Sequence, residues 1–517
     1  MEFDLVIRNG TVIDGTGEAA RPADVGVTGG RIAAIGALDG AIAREEVDAT
    51  GRVVSPGFID VHIHSEAQLA DPANRTRYGS VLQGVTTHLT APDGFGWAGV
   101  DRDGAKQLWQ STLFANGEAD LALDWPTPAD YLTIFDGATP VNVVPQVPHC
   151  AVRYGAMGWA ARAATDDEME RMRRSTRAWL DAGAVALCLG LDYQPSAFAD
   201  TRELVELSKV AREYDAIYAA HVRYNDLGRQ AAWRETMEIG ERAGIPVHIS
   251  HESVTPDTAP LLEEAAQRCD LTFESYLYPA GCTHLALTLP IWAQAGGPDA
   301  TRERLRDPES RQRVRAHLDQ RLVQAAGADR PVFVDTPSGR YIGQSIHEAA
   351  RDAGLPVPDF ALKVLEEEHP YALMVYHRGT TPEEQKQVAW DTIRHPAMMV
   401  ASDGIYHGAS AHPRGYGAFA QVLRVSVRET DAVSLGEAIR KMSAVPAERF
   451  RIRDRGLLRE GHGADIVIFD PDTVADRATW DAPRLEPAGI DRVIVNGVTV
   501  AADGVPTGAL PGRVLTR

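Results

Sequence analysis

The central part of the chain alternates between two patterns of apolar residues. Short apolar runs at 141–144, 184–190, 217–221, 246–251, 271–276 and 398–403 have the length and content of buried strands. Between several of them, 166–182, 201–214 and 229–243 place apolar residues at helical spacing among charged ones. Strand–helix repetition over 56–446 predicts a parallel barrel in preference to an open sheet. The stretch 301–326 is charged and helical in period. It reads as part of a helical insertion near 285–345, between late barrel strands.

The two ends have another texture. Leu5-Val6-Ile7-Arg8 and Thr11-Val12-Ile13 flank Asn9-Gly10, and Asn-Gly between apolar runs predicts a hairpin. Near the other end, 464–469 reads as a strand and 492–500 as a hairpin around Asn496-Gly497. Two β-rich ends around a longer middle predict one small β domain built from residues 1–55 and 447–517.

Composition narrows the function classes. A chain of 517 residues needs more than one core, and 44% hydrophobic with 24% charged residues is ordinary for a globular protein. The formal charge of −20 argues against nucleic acid or an anionic membrane as partner. Cys150, Cys188, Cys269 and Cys282 are widely spaced, with no Cys-x-x-Cys pair, so neither a disulfide framework nor a zinc knuckle is expected. The first residues lack a basic, then apolar, leader pattern, and no apolar run approaches a membrane span. The expectation is a cytoplasmic enzyme acting on a small molecule, with a homo-oligomer left open.

The chemistry concentrates where strands end. Pro56-Gly57-Phe58-Ile59-Asp60-Val61-His62-Ile63-His64 is an apolar strand closing on His-x-His. Strand alternation puts His62 and His64 on one face, where two imidazoles can hold one metal ion. His221 ends another strand, and Val247-His248-Ile249-Ser250-His251 ends a third. Alternation sends His248 and His251 opposite ways, and His251, nearer the end, is the ligand candidate. Asp403 closes a last apolar strand, as a ligand, a general base or a helix cap.

In this order and spacing the chain resembles the amidohydrolase superfamily, and within it the N-acyl-D-amino-acid deacylase (D-aminoacylase) family. The resemblance runs through DLVIRNGTVIDGTG, VVSPGFIDVHIH, QGVTTHLTAPDG, GLDYQP, AHVR, VHISH, ESYLYPAGCT, ASDG, HPRGYGAF and GADIVIFDP. It implies an α/β chain, a metal-dependent (β/α)8 TIM-like barrel with a small β-sandwich domain formed by both termini, and hydrolysis of an amide bond. It implies His62, His64, His221 and His251 as metal ligands and Asp403 as a ligand and the catalytic aspartate. Tyr193, Tyr276 and Arg414 match substrate-contacting positions, Tyr193 and Arg414 for a carboxylate. His149 matches a segment that contacts substrate or supports the metal shell. His88, His284, His407 and His412 carry no assigned role.

Two departures bear on the site. The family's metal-binding cysteine is replaced by Asp93, a harder ligand than thiolate. The lysine that the family places two residues after the position of His251 is Ser253 here, and Cys282 stands for a small hydroxyl residue. The run 184–190, read as the fourth strand, has no lysine, which argues against a carboxylated-lysine bridge. The cofactor expected is Zn2+, one or two ions, another divalent metal being possible. The substrate expected is an N-acyl-D-amino acid or a related N-acyl amine. An isoaspartyl peptide, a cyclic amide or a carbamate cut by the same machinery stays open, as does a non-catalytic scaffold.

Overall fold

A computed structural model describes residues 2–75, 79–324, 331–368, 372–377, 380–408 and 411–517. The last two residues of the charged stretch 301–326, and part of the expected 285–345 insertion, lie outside the described residues.

Eight parallel strands close a ring. They are β1 (Phe58–Asp60 and Ile63–His64), β2 (Val85–Leu89), β3 (Asn142–Val144 and Val147–Pro148), β4 (Ala186–Gly190), β5 (Ile217–His221), β6 (Val247–Ile249), β7 (Leu271–Ser275) and β8 (Met398–Val400 and Gly404–Ile405). Each pairs in parallel with the next. Gly404↔Ile63 and Ile405↔His64 join β8 back to β1. Asp60 reinforces that seam: its Oδ1 accepts the N–H groups of Ser402 at 3.1 Å and His62 at 3.3 Å. Burial lifts the Asp60 carboxyl to about 7, against those bonds.

β4 and β5 are buried at every position, as strands covered on both faces must be. The helices that cover them follow their sequence signals closely. Asp166–Asp181 starts in a capping box of Thr165 and Glu168, then buries Met169, Met172, Trp179 and Leu180 on one face. Arg229–Ala243 stops at Gly244, whose φ of 63° suits glycine.

The termini share one nine-stranded sheet, joined where Val53–Pro56 pairs antiparallel with Ile466–Phe469. Asn9-Gly10 is not the expected hairpin. It is a bulge inside one long strand, Glu2–Val12, with Asn9 at φ 60° and its N–H donated to Asp24 Oδ1 at 2.9 Å. The bulge lets the strand pair with Ile42–Asp48 along its first part and with Val53–Pro56 along its last. The Asn496-Gly497 hairpin forms as expected, between Ile490–Val495 and Val498–Ala502.

Between β7 and β8 the chain leaves the barrel. This segment is not only helical. Ala280–His284, Val332–Asp335 and Leu373–His377 form a small antiparallel sheet. Helices Gly297–Arg306, Pro308–Asp319 and Val357–Glu367 pack with it around a core of Leu305, Val314, Phe333, Phe360 and Met374. No described helix is long and apolar enough to cross a membrane.

Candidate metal centre

The carboxyl ends of the barrel strands converge on four histidines and two aspartates. His62 and His64 come from β1, Asp93 from the turn after β2, His221 from β5, His251 from just beyond β6 and Asp403 from the break in β8. All but His251 are buried, and the His251 side chain is 15% exposed. Asp93 is central. Its Oδ1 lies 3.6 Å from His62 Nε2 and 3.8 Å from both His221 Nδ1 and His251 Nε2. Its Oδ2 lies 3.6 Å from His64 Nε2. Asp403 Oδ1 stands 3.3 Å from His64 Nε2 and 3.7 Å from His62 Nε2.

Backbone strain marks the same residues. Asp93, His251 and Asp403 have φ of 54°, 40° and 47°, in the left-handed region that non-glycine residues avoid. The surroundings hold them there. The Asp93 turn lies on β4 so closely that a Cβ on Gly94 would come within 2.5 Å of Cys188 O. Glu66 accepts the Ala91 N–H and the Tyr131 hydroxyl, each at 2.6 Å, and burial raises its carboxyl to about 7. The Asp403 N–H is donated to His62 O at 2.8 Å.

Further acids, not singled out from sequence, orient the imidazoles. Glu274 of β7 bonds His62 Nδ1 at 2.9 Å, accepts the His251 N–H at 3.0 Å and pairs with His248. That leaves His62 Nε2 turned to the centre. Asp192, after β4, meets His221 Nε2 at 3.1 Å, leaving Nδ1 for the centre. A charge within the strand Leu271–Ser275 was the available signal for Glu274. His248 bonds Thr272 and Glu274 away from the centre, as alternation predicts.

The charges are interdependent. Burial works against the charged form of each group, yet Asp93, Glu274 and Asp403 lift His62 well above its ordinary value. Against the same burial, His62, His251 and His221 hold Asp93 well below the carboxylate range. Asp403 is likewise held below it, chiefly by Arg414, whose Nη1 is 2.8 Å from Asp403 Oδ2. Burial lowers His64, outweighing Asp403.

Two triads have their donor atoms close enough to share an ion: His62, His64 and Asp403, and His62, Asp93 and His251. His62 Nε2 and Asp93 Oδ1 are buried and have no hydrogen-bond partner among the described residues. An unmet buried polar group costs about 1–3 kcal/mol, and a cation between these atoms would satisfy both. The donor set therefore fits a divalent metal.

A cavity of about 310 Å3 opens over this centre. Of the residues expected to meet substrate, Tyr193, Tyr276 and Cys282 line it. Arg414 does not: it is fully buried behind that wall, its guanidinium carbon 4.5 Å from the Tyr276 ring centroid. Its guanidinium is turned to Asp403, with Nη1 2.8 Å from Asp403 Oδ2. Ser253 faces a second cavity of about 290 Å3 that shares Tyr276 as a lining residue. His149 is not at the cavity. It begins a helix, His149–Met157, where it bonds Ser196 at 2.8 Å and Glu203 at 3.0 Å. His88 is held by Ser65 and Ser80, and burial brings it to about 3. His412 bonds Ala280 O, His407 bonds Asp335, and His284 stacks on Phe114.

Comparison with known proteins agrees with this geometry. A D-aminoacylase of Alcaligenes xylosoxydans xylosoxydans is 34% identical over 100% of this chain and 98% of its own length. The crystal structure of an N-acyl-D-glutamate deacylase from Bordetella bronchiseptica, complexed with zinc and a phosphonate mimic of the tetrahedral intermediate, superposes with a TM-score of 0.82. It is 32% identical, with both chains fully covered. A D-aminoacylase with a binuclear metal centre superposes at 0.83, also 32% identical over the whole of both chains. The amidohydrolase family model matches residues 45–270 and 378–501, which include β1 to β6, β8 and part of the terminal sheet and leave out β7 and most of the insertion. With the ring of strands, the converging histidines and these whole-length likenesses, the chain belongs to the amidohydrolase family.

Proposed function

We propose that the protein hydrolyses the amide bond of an N-acyl-D-amino acid, with zinc held at the barrel mouth. The observation that carries this reading is the pair of orphaned buried atoms, His62 Nε2 and Asp93 Oδ1, inside a ring of imidazoles and carboxylates. Zinc accepts that donor set. Similarity to a D-aminoacylase and to a zinc-complexed N-acyl-D-glutamate deacylase supports the bond and the stereochemistry.

His62, His64, His221, His251, Asp93 and Asp403 are the proposed ligands. Asp93, with one oxygen towards His62, His221 and His251 and the other towards His64, would help hold one ion or two. A divalent metal here lowers the pKa of a water and polarises the scissile carbonyl. Asp403 takes the proton of the attacking water as the C–O bond forms, then returns it to the nitrogen as the C–N bond breaks. Arg414 beside it keeps the Asp403 carboxyl ionised, the form that can accept a proton. The products are a carboxylic acid and an amine, and the proton is only borrowed.

The guanidinium of Arg414, paired with Asp403 and one side-chain layer behind Tyr276, is the proposed anchor for the α-carboxylate. Tyr193 and Cys282 would contact the substrate. Four free cysteines accord with a reducing, cytoplasmic location. The test is turnover of matched N-acetyl-D- and N-acetyl-L-amino acids by the zinc-loaded protein. Release of acetate from the D series is expected; no hydrolysis in either series would overturn the reading.

A further inference from the structure

Four carboxylates line the catalytic cavity, and each is committed. Asp93 faces the histidines, and Asp403 faces His64 and Arg414. Asp192 meets His221 Nε2 and accepts the Asn225 N–H at 3.0 Å. Glu252 pairs with Arg229 and accepts from Trp233 Nε1 at 3.1 Å and the Tyr224 hydroxyl at 3.2 Å. Arg229 is thereby neutralised, and it also stacks over the Tyr224 ring.

One cation at the cavity has no such partner. Arg321 belongs to the insertion, in the segment Gln320–Gln324, and lines the same cavity half-buried. Its Nη2 donates to the neutral Asn225 Oδ1, and among the described residues no carboxylate pairs with it. Asn225 is itself fixed through Asp192, the residue that orients His221. Arg321 thus presents to the cavity a positioned guanidinium with no carboxylate partner among the described residues. Such a fork favours a carboxylate, which it can bind through two parallel hydrogen bonds. On a chain of formal charge −20, an anionic ligand needs a local cation of this kind. Arg321 stands by the residues that follow β4 and β5, whereas Arg414 stands by β8, across the barrel.

We propose that Arg321 holds a second carboxylate of the substrate, so that the preferred N-acyl amino acid is a dianion. The second carboxylate belongs either to an acidic side chain on the amine half or to a dicarboxylic acyl group. This inference rests on the deacylase reading above.

The test compares the zinc-loaded wild type, Arg321→Ala and Arg321→Lys on N-acetyl-D-glutamate, N-succinyl-D-alanine and N-acetyl-D-alanine. Arg321→Ala is expected to raise KM for one of the two dianions by about ten- to a hundred-fold, the worth of a charged hydrogen-bonded contact. Its kcat should stay within about two-fold and its kinetics on N-acetyl-D-alanine unchanged, and Lys should recover part of the loss. The dianion that responds identifies the half that carries the second acid. Equal losses on all three substrates, or no change on either dianion, overturn the proposal and leave the deacylase reading standing. So does a wild type that cleaves only N-acetyl-D-alanine. A wild type that cleaves none of the three overturns the deacylase reading and this inference together.

Discussion

The catalytic cavity has two walls, built in different ways. One is the barrel mouth: His64, Asp93, His221, His251 and Asp403, each fixed by its place at a strand end. The other comes from the insertion: Cys282 and Thr283 on the strand Ala280–His284, with Arg321 and Tyr376. The barrel wall is braced by Glu274 and Asp192 and by backbone held at positive φ. The insertion has its own core and its own small sheet, and that sheet packs against Phe95, Tyr193 and Ile405 of the barrel mouth. On the proposed function, chemistry belongs to the barrel wall and choice of substrate to the appended one, as expected when sites are grafted on a common scaffold.

Substitutions can break that division. Asp403→Asn carries the largest expected effect: measured at saturating zinc, kcat should fall by about 10^2- to 10^4-fold, the range for a lost general base. A kcat within a few-fold of wild type would remove Asp403 from the proton path. Glu274→Gln tests the bracing behind His62. Zinc affinity should weaken by about 10–100-fold, while activity at saturating zinc recovers most of its value. Unaltered affinity in a zinc titration would show that the His62–Glu274 bond does not matter for binding. On the other wall, Arg321→Ala should act through KM, and only on a dianionic substrate, by about ten-fold or more. Cys282→Ser should do least, changing kcat/KM by about two-fold or less, because it keeps the size of the side chain in the insertion strand. A Cys282→Ser effect as large as that of Asp403→Asn would erase the distinction between the walls.

The barrel wall was legible in the sequence because strand ends announce themselves. His62, His64, His221, His251 and Asp403 each close an apolar run, and alternation with nearness to the strand end separates His251 from His248. Asp93 stands where the resembled family has its metal-binding cysteine, and it proves to be the central carboxylate. Glu274 and Asp192 were passed over because what they do depends on where other strands bring His62 and His221. The insertion was read as helical because its sheet pairs short strands far apart in the chain, which leaves little local periodicity. Asn9-Gly10 has hairpin composition, but the same positive-φ preference also serves a bulge, and the pairing of Glu2–Val12 with two later strands selects the bulge. His149 was misdirected towards the substrate because nothing local reveals Glu203 and Ser196 as its partners.

The most direct measurement is a zinc titration of chelator-stripped protein, following bound metal and hydrolysis of an N-acyl-D-amino acid together. The predicted result is no turnover without metal and activity that appears as zinc fills the His62–Asp93–His251 and His62–His64–Asp403 groups. Full activity in the metal-free protein, or stoichiometric zinc binding that persists when His62 and Asp93 are both replaced by alanine, would contradict a metal centre at the barrel mouth.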